Sequence, residues 1–169
     1  LPCLANLIDR PFDKYAVTVV NVDGVSFKPF AKLLCFANDP QRQTIKAAII
    51  TDDDRCAEKS NKSHYISYNI DYDCTQDELN GVVSKLRAGI PSSRYNKIVE
   101  LCRTAHIGVF GAPKTLEYAL ALKEDNIPYI LSAIIDVHPQ VGKTLYDKVG
   151  QLHDVETKAA CIWLFMRER

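Results

Sequence analysis

Two short apolar runs constrain the fold of this chain more than any other feature of its sequence. Residues 16–22 (AVTVVNV) and 45–51 (IKAAIIT) are rich in apolar and β-branched side chains and lack the alternation of a half-exposed strand. This pattern predicts two strands that are covered on both faces, as in a parallel sheet. A third, shorter strand is predicted at 107–110 (IGVF).

Helix signals separate and follow these strands. Residues 1–9 have the pattern of a helix that ends there, residues 55–74 predict a long loop with a short strand at 64–70, and residues 128–152 give a mixed pattern. Further helices are expected after five N-cap residues: Ser26, Thr75, Ser92, Thr115 and Asp154. Strands that alternate with helices predict an α/β fold, with a mainly parallel central sheet flanked by helices.

Length and composition narrow the class of protein. The 169 residues suit one domain, and 21 basic residues balance 21 acidic ones. A neutral total argues against a dedicated nucleic-acid-binding module but is compatible with an enzyme that holds DNA through metal ions. No apolar run approaches the ~20 residues of a membrane span. The six cysteines form no Cys-x-x-Cys pair, so we expect free thiols in a reducing cytoplasm.

Three aspartates, Asp52, Asp53 and Asp54, directly follow the second predicted strand. In extended backbone, side chains two residues apart point the same way, so Asp52 and Asp54 are expected to converge at the carboxyl end of the strand. Two neighbouring carboxylates repel and raise each other's pKa, and a divalent ion such as Mg²⁺ or Mn²⁺ removes that conflict. The competing interpretation is a solvated acidic turn.

Glu117 is a second acidic candidate, in the first turn of the helix predicted after Thr115. A carboxylate at that position also interacts favourably with the helix dipole, and on chemistry alone this is the simpler explanation of Glu117.

Three segments in order resemble one family. VTVVNVDGVSFKPFAKLL, then AIITDDD, then FGAPKTLEYALAL are similar to the Toprim domain of OLD-family (overcoming lysogenization defect) ATP-dependent nucleases, which include the nuclease subunit of the Gabija anti-phage system. The resemblance covers 16–54 and 107–122 closely and the remainder loosely. Three ordered segments are far more specific than one Asp-x-Asp.

The resemblance implies a Toprim fold and a DNA endonuclease that hydrolyses phosphodiester bonds by a two-metal reaction. It assigns Asp52, Asp54 and Glu117 as catalytic metal ligands for Mg²⁺ or Mn²⁺, and Gly24 matches the glycine after the first strand. Asp23 and Ala119 depart from the residues of many relatives.

The resemblance also implies parts outside residues 1–169, which we therefore interpret as a nuclease-domain fragment. A leading glutamate motif is expected before Leu1, a catalytic lysine beyond Arg169, and an ATP-binding ABC-type ATPase domain upstream. The expected partners are DNA, the ATPase domain of the same protein, further copies of the full-length protein and a helicase. No association with a membrane is expected. We expect the fragment alone to bind metal weakly and to be nearly inactive.

Three alternatives remain open. Another Toprim enzyme, such as a primase or topoisomerase, shares the acidic site. A haloacid-dehalogenase-type phosphotransferase also begins with Asp-x-Asp after a strand, although that family expects small residues where Arg55 and Cys56 follow here. The third alternative is a non-catalytic Toprim domain that serves assembly or regulation.

Overall fold

The computed structural model describes residues 2–22, 27–34, 46–55, 70–103 and 107–167. Within these ranges the chain forms helices and two strands, together with a short 3₁₀ helix at Glu124–Asn126. In chain order the elements are α1 (Pro2–Leu7), α2 (Lys28–Leu34), β1 (Ala47–Asp52), α3 (Gln76–Ala88), α4 (Ser93–Leu101), β2 (Ile107–Ala112), α5 (Leu116–Ala121), α6 (Ile127–Val137), α7 (Pro139–Gln151) and α8 (Val155–Arg167).

Strands β1 and β2 form a parallel sheet. Ala47 lies beside Ile107 at one end of the pair, and Asp52 lies beside Ala112 at the other. The strands predicted at 45–51 and 107–110 are therefore confirmed, each continuing one or two residues further. The coarse prediction of an α/β fold with a parallel sheet flanked by helices is confirmed as well.

The strand predicted at 16–22 is wrong. This run leaves a turn in which the Val17 amide donates to the Phe12 carbonyl, and it continues without regular structure. Val17, Val19 and Val20 are between 47% and 65% exposed. A strand needs a neighbour for its backbone amides, and no strand in the described ranges pairs with this run. Gly24 and the expected cap at Ser26 lie outside the described residues.

The sheet is covered on one face by the described residues, which corrects the prediction of strands buried on both faces. Ile49 and Ile107 pack with Ala31 of α2 and with Ile98 of α4 in a small apolar cluster. Ile50 and its neighbour Phe110 point away from that cluster and are 49% and 62% exposed. Side chains alternate across a strand, so covering one face leaves every second residue on the other.

A larger core lies among helices α3, α5, α6, α7 and α8. Helix α8 is central, because all seven residues of 159–165 are buried. The mixed pattern of 128–152 is a pair of amphipathic helices separated at His138, and Pro139 occupies the first position of α7. The pair packs closely at Gly142, where an added Cβ would lie 2.8 Å from the Ile135 Cα.

Local helix signals are confirmed where the structure describes them. Thr75 and Glu78 form the predicted capping box of α3, and α3 ends before Gly89. The side chains of Ser92 and Thr115 cap α4 and α5. Most of the loop predicted at 55–74 lies outside the described residues, and 70–74 holds no regular element. None of the described helices is both long and apolar enough to cross a membrane.

Candidate metal centre

Asp52 and Glu117 reach the same edge of the sheet from two neighbouring strands. Asp52 is the last residue of β1, beside Ala112 at the end of β2. The chain then turns into α5, which begins at Leu116 and has Glu117 in its first turn. The Leu116 backbone lies near the Asp52 carboxylate and lowers its pKa, which places the start of α5 beside the end of β1. The parallel pairing of β1 with β2 therefore brings together two acids that are 65 residues apart.

The electrostatics at this edge disfavour negative charge on Asp52. Burial raises the pKa of the Asp52 carboxyl above its ordinary value, and repulsion by Glu117 and then by Asp54 raises it further. The Leu116 amide and the Arg94 guanidinium act in the opposite direction without cancelling the rise. The three residues predicted as metal ligands thus interact electrostatically, and Glu117 affects Asp52 more strongly than Asp54 does.

Asp54 departs from the predicted geometry. Strand β1 ends at Asp52, and Asp54 has a φ of 46°, in the left-handed region. The extended alternation that was expected to align Asp52 with Asp54 therefore does not continue to Asp54. Its carboxylate instead accepts a hydrogen bond from Arg94 Nε at 3.0 Å and pairs with Nη2 of the same guanidinium.

Asp53 is a structural residue that links the two strand ends, a role the sequence analysis did not assign. Its carboxylate is buried and accepts hydrogen bonds from the backbone amides of Lys114 at 2.8 Å and Arg55 at 3.1 Å. Its own amide donates to the Ala112 carbonyl, and its carbonyl accepts from the Ser92 amide, both at 2.9 Å. The bond to Arg55 follows the local pattern that favours aspartate in turns, but the others join distant segments.

Lys114 was also missed. It lies in the turn between β2 and α5 with a φ of 63°, and it is 93% buried. Its ammonium lies 5.7 Å from the centre of the Trp163 ring, a favourable cation–π geometry. The same residue donates its amide to Asp53. Lys114 therefore connects the acidic edge of the sheet to central helix α8.

The donor set partly fits a divalent cation. Asp52 and Glu117 offer hard oxygen atoms at one edge, where a cation would relieve their repulsion. Asp54, in contrast, is engaged by Arg94. Among the described residues, no three acidic, histidine or cysteine side chains are grouped closely enough to hold a metal ion. Asp54 could join Asp52 and Glu117 as a third ligand only if its carboxylate left Arg94.

Comparisons with known proteins identify no relative of this chain. No family model matches the chain, and searches of curated proteins and of solved structures also find no match.

Proposed function

We propose that this chain is the metal-binding part of a DNA endonuclease that hydrolyses phosphodiester bonds with Mg²⁺ or Mn²⁺. The observation that carries the proposal is that Asp52 ends β1, Glu117 lies in the first turn of the helix after the neighbouring parallel strand β2, and Glu117 is near enough to raise the Asp52 pKa. Ligand sites of open α/β sheets lie at such ends. The sequence resemblance to OLD-family nucleases names the same two acids, and with them a Toprim fold.

Asp52 and Glu117 would hold the cation, and Asp54 would join them once it is free of Arg94. When bound, the metal supplies a water of lowered pKa and stabilises the leaving oxygen of a phosphodiester. The Leu116 backbone favours the charged form of Asp52, which is the form that binds a cation. The hydrogen bonds of Asp53 join the end of β1 to the end of β2 and to the turn before α5, the segments next to the two acids.

The resemblance to OLD-family nucleases extends the proposal to parts outside residues 1–169. A glutamate motif before Leu1 and a lysine after Arg169 would complete the catalytic set, and an ATPase domain would bind ATP. The full-length protein would be a cytoplasmic homo-oligomer with a helicase partner, acting in anti-phage defence. Residues 1–169 alone would bind metal weakly and cleave DNA slowly.

A second candidate is a non-catalytic Toprim domain kept for assembly or regulation. The Asp54–Arg94 ion pair favours this second candidate, because the arginine already neutralises a carboxylate that a metal ion would need as a ligand. In this case the Asp53 bonds and the acidic edge would be structural features only.

A Mn²⁺ titration distinguishes the two candidates. We expect saturable binding that Asp52→Asn and Glu117→Gln each weaken at least about tenfold, because each removes a charged ligand. The matched control is Asp136→Asn, which removes an exposed carboxylate from α6. Equal affinity for all four proteins would remove the metal site and leave the assembly role.

A further inference from the structure

Arg94 contacts three groups at the end of β1. Besides the ion pair with Asp54, its Nη2 donates to the Asp52 carbonyl at 2.7 Å, and its Nη1 donates to Thr51 Oγ1 at 3.3 Å. One guanidinium thus binds oxygen atoms of three residues at the end of β1 and just beyond it: Thr51, Asp52 and Asp54. These are the kinds of atom that Mg²⁺ and Mn²⁺ take as ligands.

We propose that Arg94 is a resident counter-cation that competes with the divalent metal for Asp54. The inference rests on the proposed function and concerns the same site. In the metal-free protein the guanidinium neutralises Asp54. Binding of the metal to Asp54 then requires the Arg94 side chain to move away.

Charge supports competition between Arg94 and the metal. Asp52, Asp54 and Glu117 each carry one formal negative charge when ionised, and Arg94 neutralises one of the three. The Arg94 side chain is 19% exposed and that of Asp54 is 21% exposed, so solvent screens the pair only in part. A cation that shares Asp54 with Arg94 meets both a repelling charge and an occupied ligand. Removing the guanidinium should therefore strengthen metal binding.

Contacts other than those of Arg94 also hold helix α4 beside the strand ends. The Ser92 amide donates to the Asp53 carbonyl, and the Ser92 side chain caps α4. Tyr95 packs against β2 at Gly111, where an added Cβ would come within 2.5 Å of the ring. The arginine side chain can therefore leave Asp54 while the backbone of α4 stays in place.

The test is a Mn²⁺ titration, followed by the electron paramagnetic resonance signal of the free ion, on wild type and Arg94→Gln. We expect the variant to bind about tenfold more tightly, a change of about 1.4 kcal/mol. Arg94→Lys keeps the charge but loses the planar fork, so its affinity should lie between the two. If Arg94→Gln fails to fold, as judged by thermal unfolding, the lysine variant carries the test.

Two controls locate the effect. Arg55→Gln removes the same charge beside Asp53, to which Arg55 pairs at 2.9 Å, and it should raise the affinity less. In an Asp54→Asn background, Arg94→Gln should give no gain, because the contested ligand is gone.

The outcomes separate this inference from the proposed function. Unchanged or weaker binding by Arg94→Gln, with a wild type that binds Mn²⁺, would overturn the competition and leave the metal site standing. Absence of binding in both proteins would overturn the metal site and the competition together. Binding by Arg94→Gln alone would support both.

Discussion

The side chains of the helical core are more deeply buried than those of the sheet. In the helical core, α8 is enclosed by its neighbours, and residues such as Leu164 and Phe165 are almost fully buried. The sheet has one small apolar cluster on one face and exposes Ile50 and Phe110 on the other. The candidate metal centre lies where these regions meet, with Lys114 reaching toward α8. The difference indicates that stability comes mainly from the helices, whereas the proposed metal site lies at the strand ends.

The largest expected effect compares two phenylalanines. Phe165→Ala should lower the free energy of unfolding by about 3–5 kcal/mol, because it opens a cavity in the helical core. Phe110→Ala, on the exposed sheet face, should cost less than about 1 kcal/mol. Urea unfolding with a constant slope measures both. Equal losses would mean that the sheet face is as well packed as the core.

A smaller loss of stability is expected when the hydrogen bonds between the strand ends are removed. Asp53→Ala should cost about 1–3 kcal/mol, because it leaves the buried Lys114 amide without its acceptor. Asp53→Asn retains an acceptor oxygen and should cost less. The same urea experiment compares the two variants, and a harmless alanine would show that Asp53 does not hold the strand ends together.

The smallest effect concerns the pH dependence of stability with metal removed. The Asp52 pKa is raised above 3.8 by burial, Glu117 and Asp54, so the folded protein keeps this proton at pH values where the unfolded chain has lost it. The free energy of unfolding should therefore fall as the pH rises from 3.8 through the folded-state pKa. Asp52→Asn removes this loss.

Unfolding at a series of pH values checks this prediction. Asp52→Asn should be more stable than wild type at neutral pH, and its advantage should shrink as the pH falls toward the ordinary carboxyl pKa. Asp136→Asn is the control for loss of an exposed carboxylate. An advantage of Asp52→Asn that grows in acid would contradict the direction of the shift.

Local signals predicted much of the fold. The caps at Thr75, Ser92 and Thr115 depend on residues one turn apart, and sequence displays them directly. The run at 16–22 has similar composition to β1, but strand formation depends on a neighbour that composition does not reveal. Pro139 is a helix-start signal that could have divided 128–152 into two helices.

The arrangement of the candidate site could not be predicted from the sequence. Asp52 was predicted from its place at the end of a strand and Glu117 from the segment resemblance, and the parallel pairing of β1 with β2 places the two on one side of the sheet. The left-handed backbone at Asp54 turns its carboxylate away from simple alternation. Arg94 lies 40 residues from Asp54, and no spacing rule connects the two. The sequence therefore did not predict interactions that depend on how distant elements pack.

The central claim is that Asp52 and Glu117 together bind a divalent cation. A ¹H–¹⁵N NMR titration with Mg²⁺ tests it at the amides of Asp52, Glu117 and Leu116, because the Leu116 backbone is near enough to lower the Asp52 pKa. We predict saturable shifts centred on Asp52, Leu116 and Glu117 that weaken strongly in Glu117→Gln. Shifts that are absent, or that are equal in wild type and Glu117→Gln, would contradict the claim.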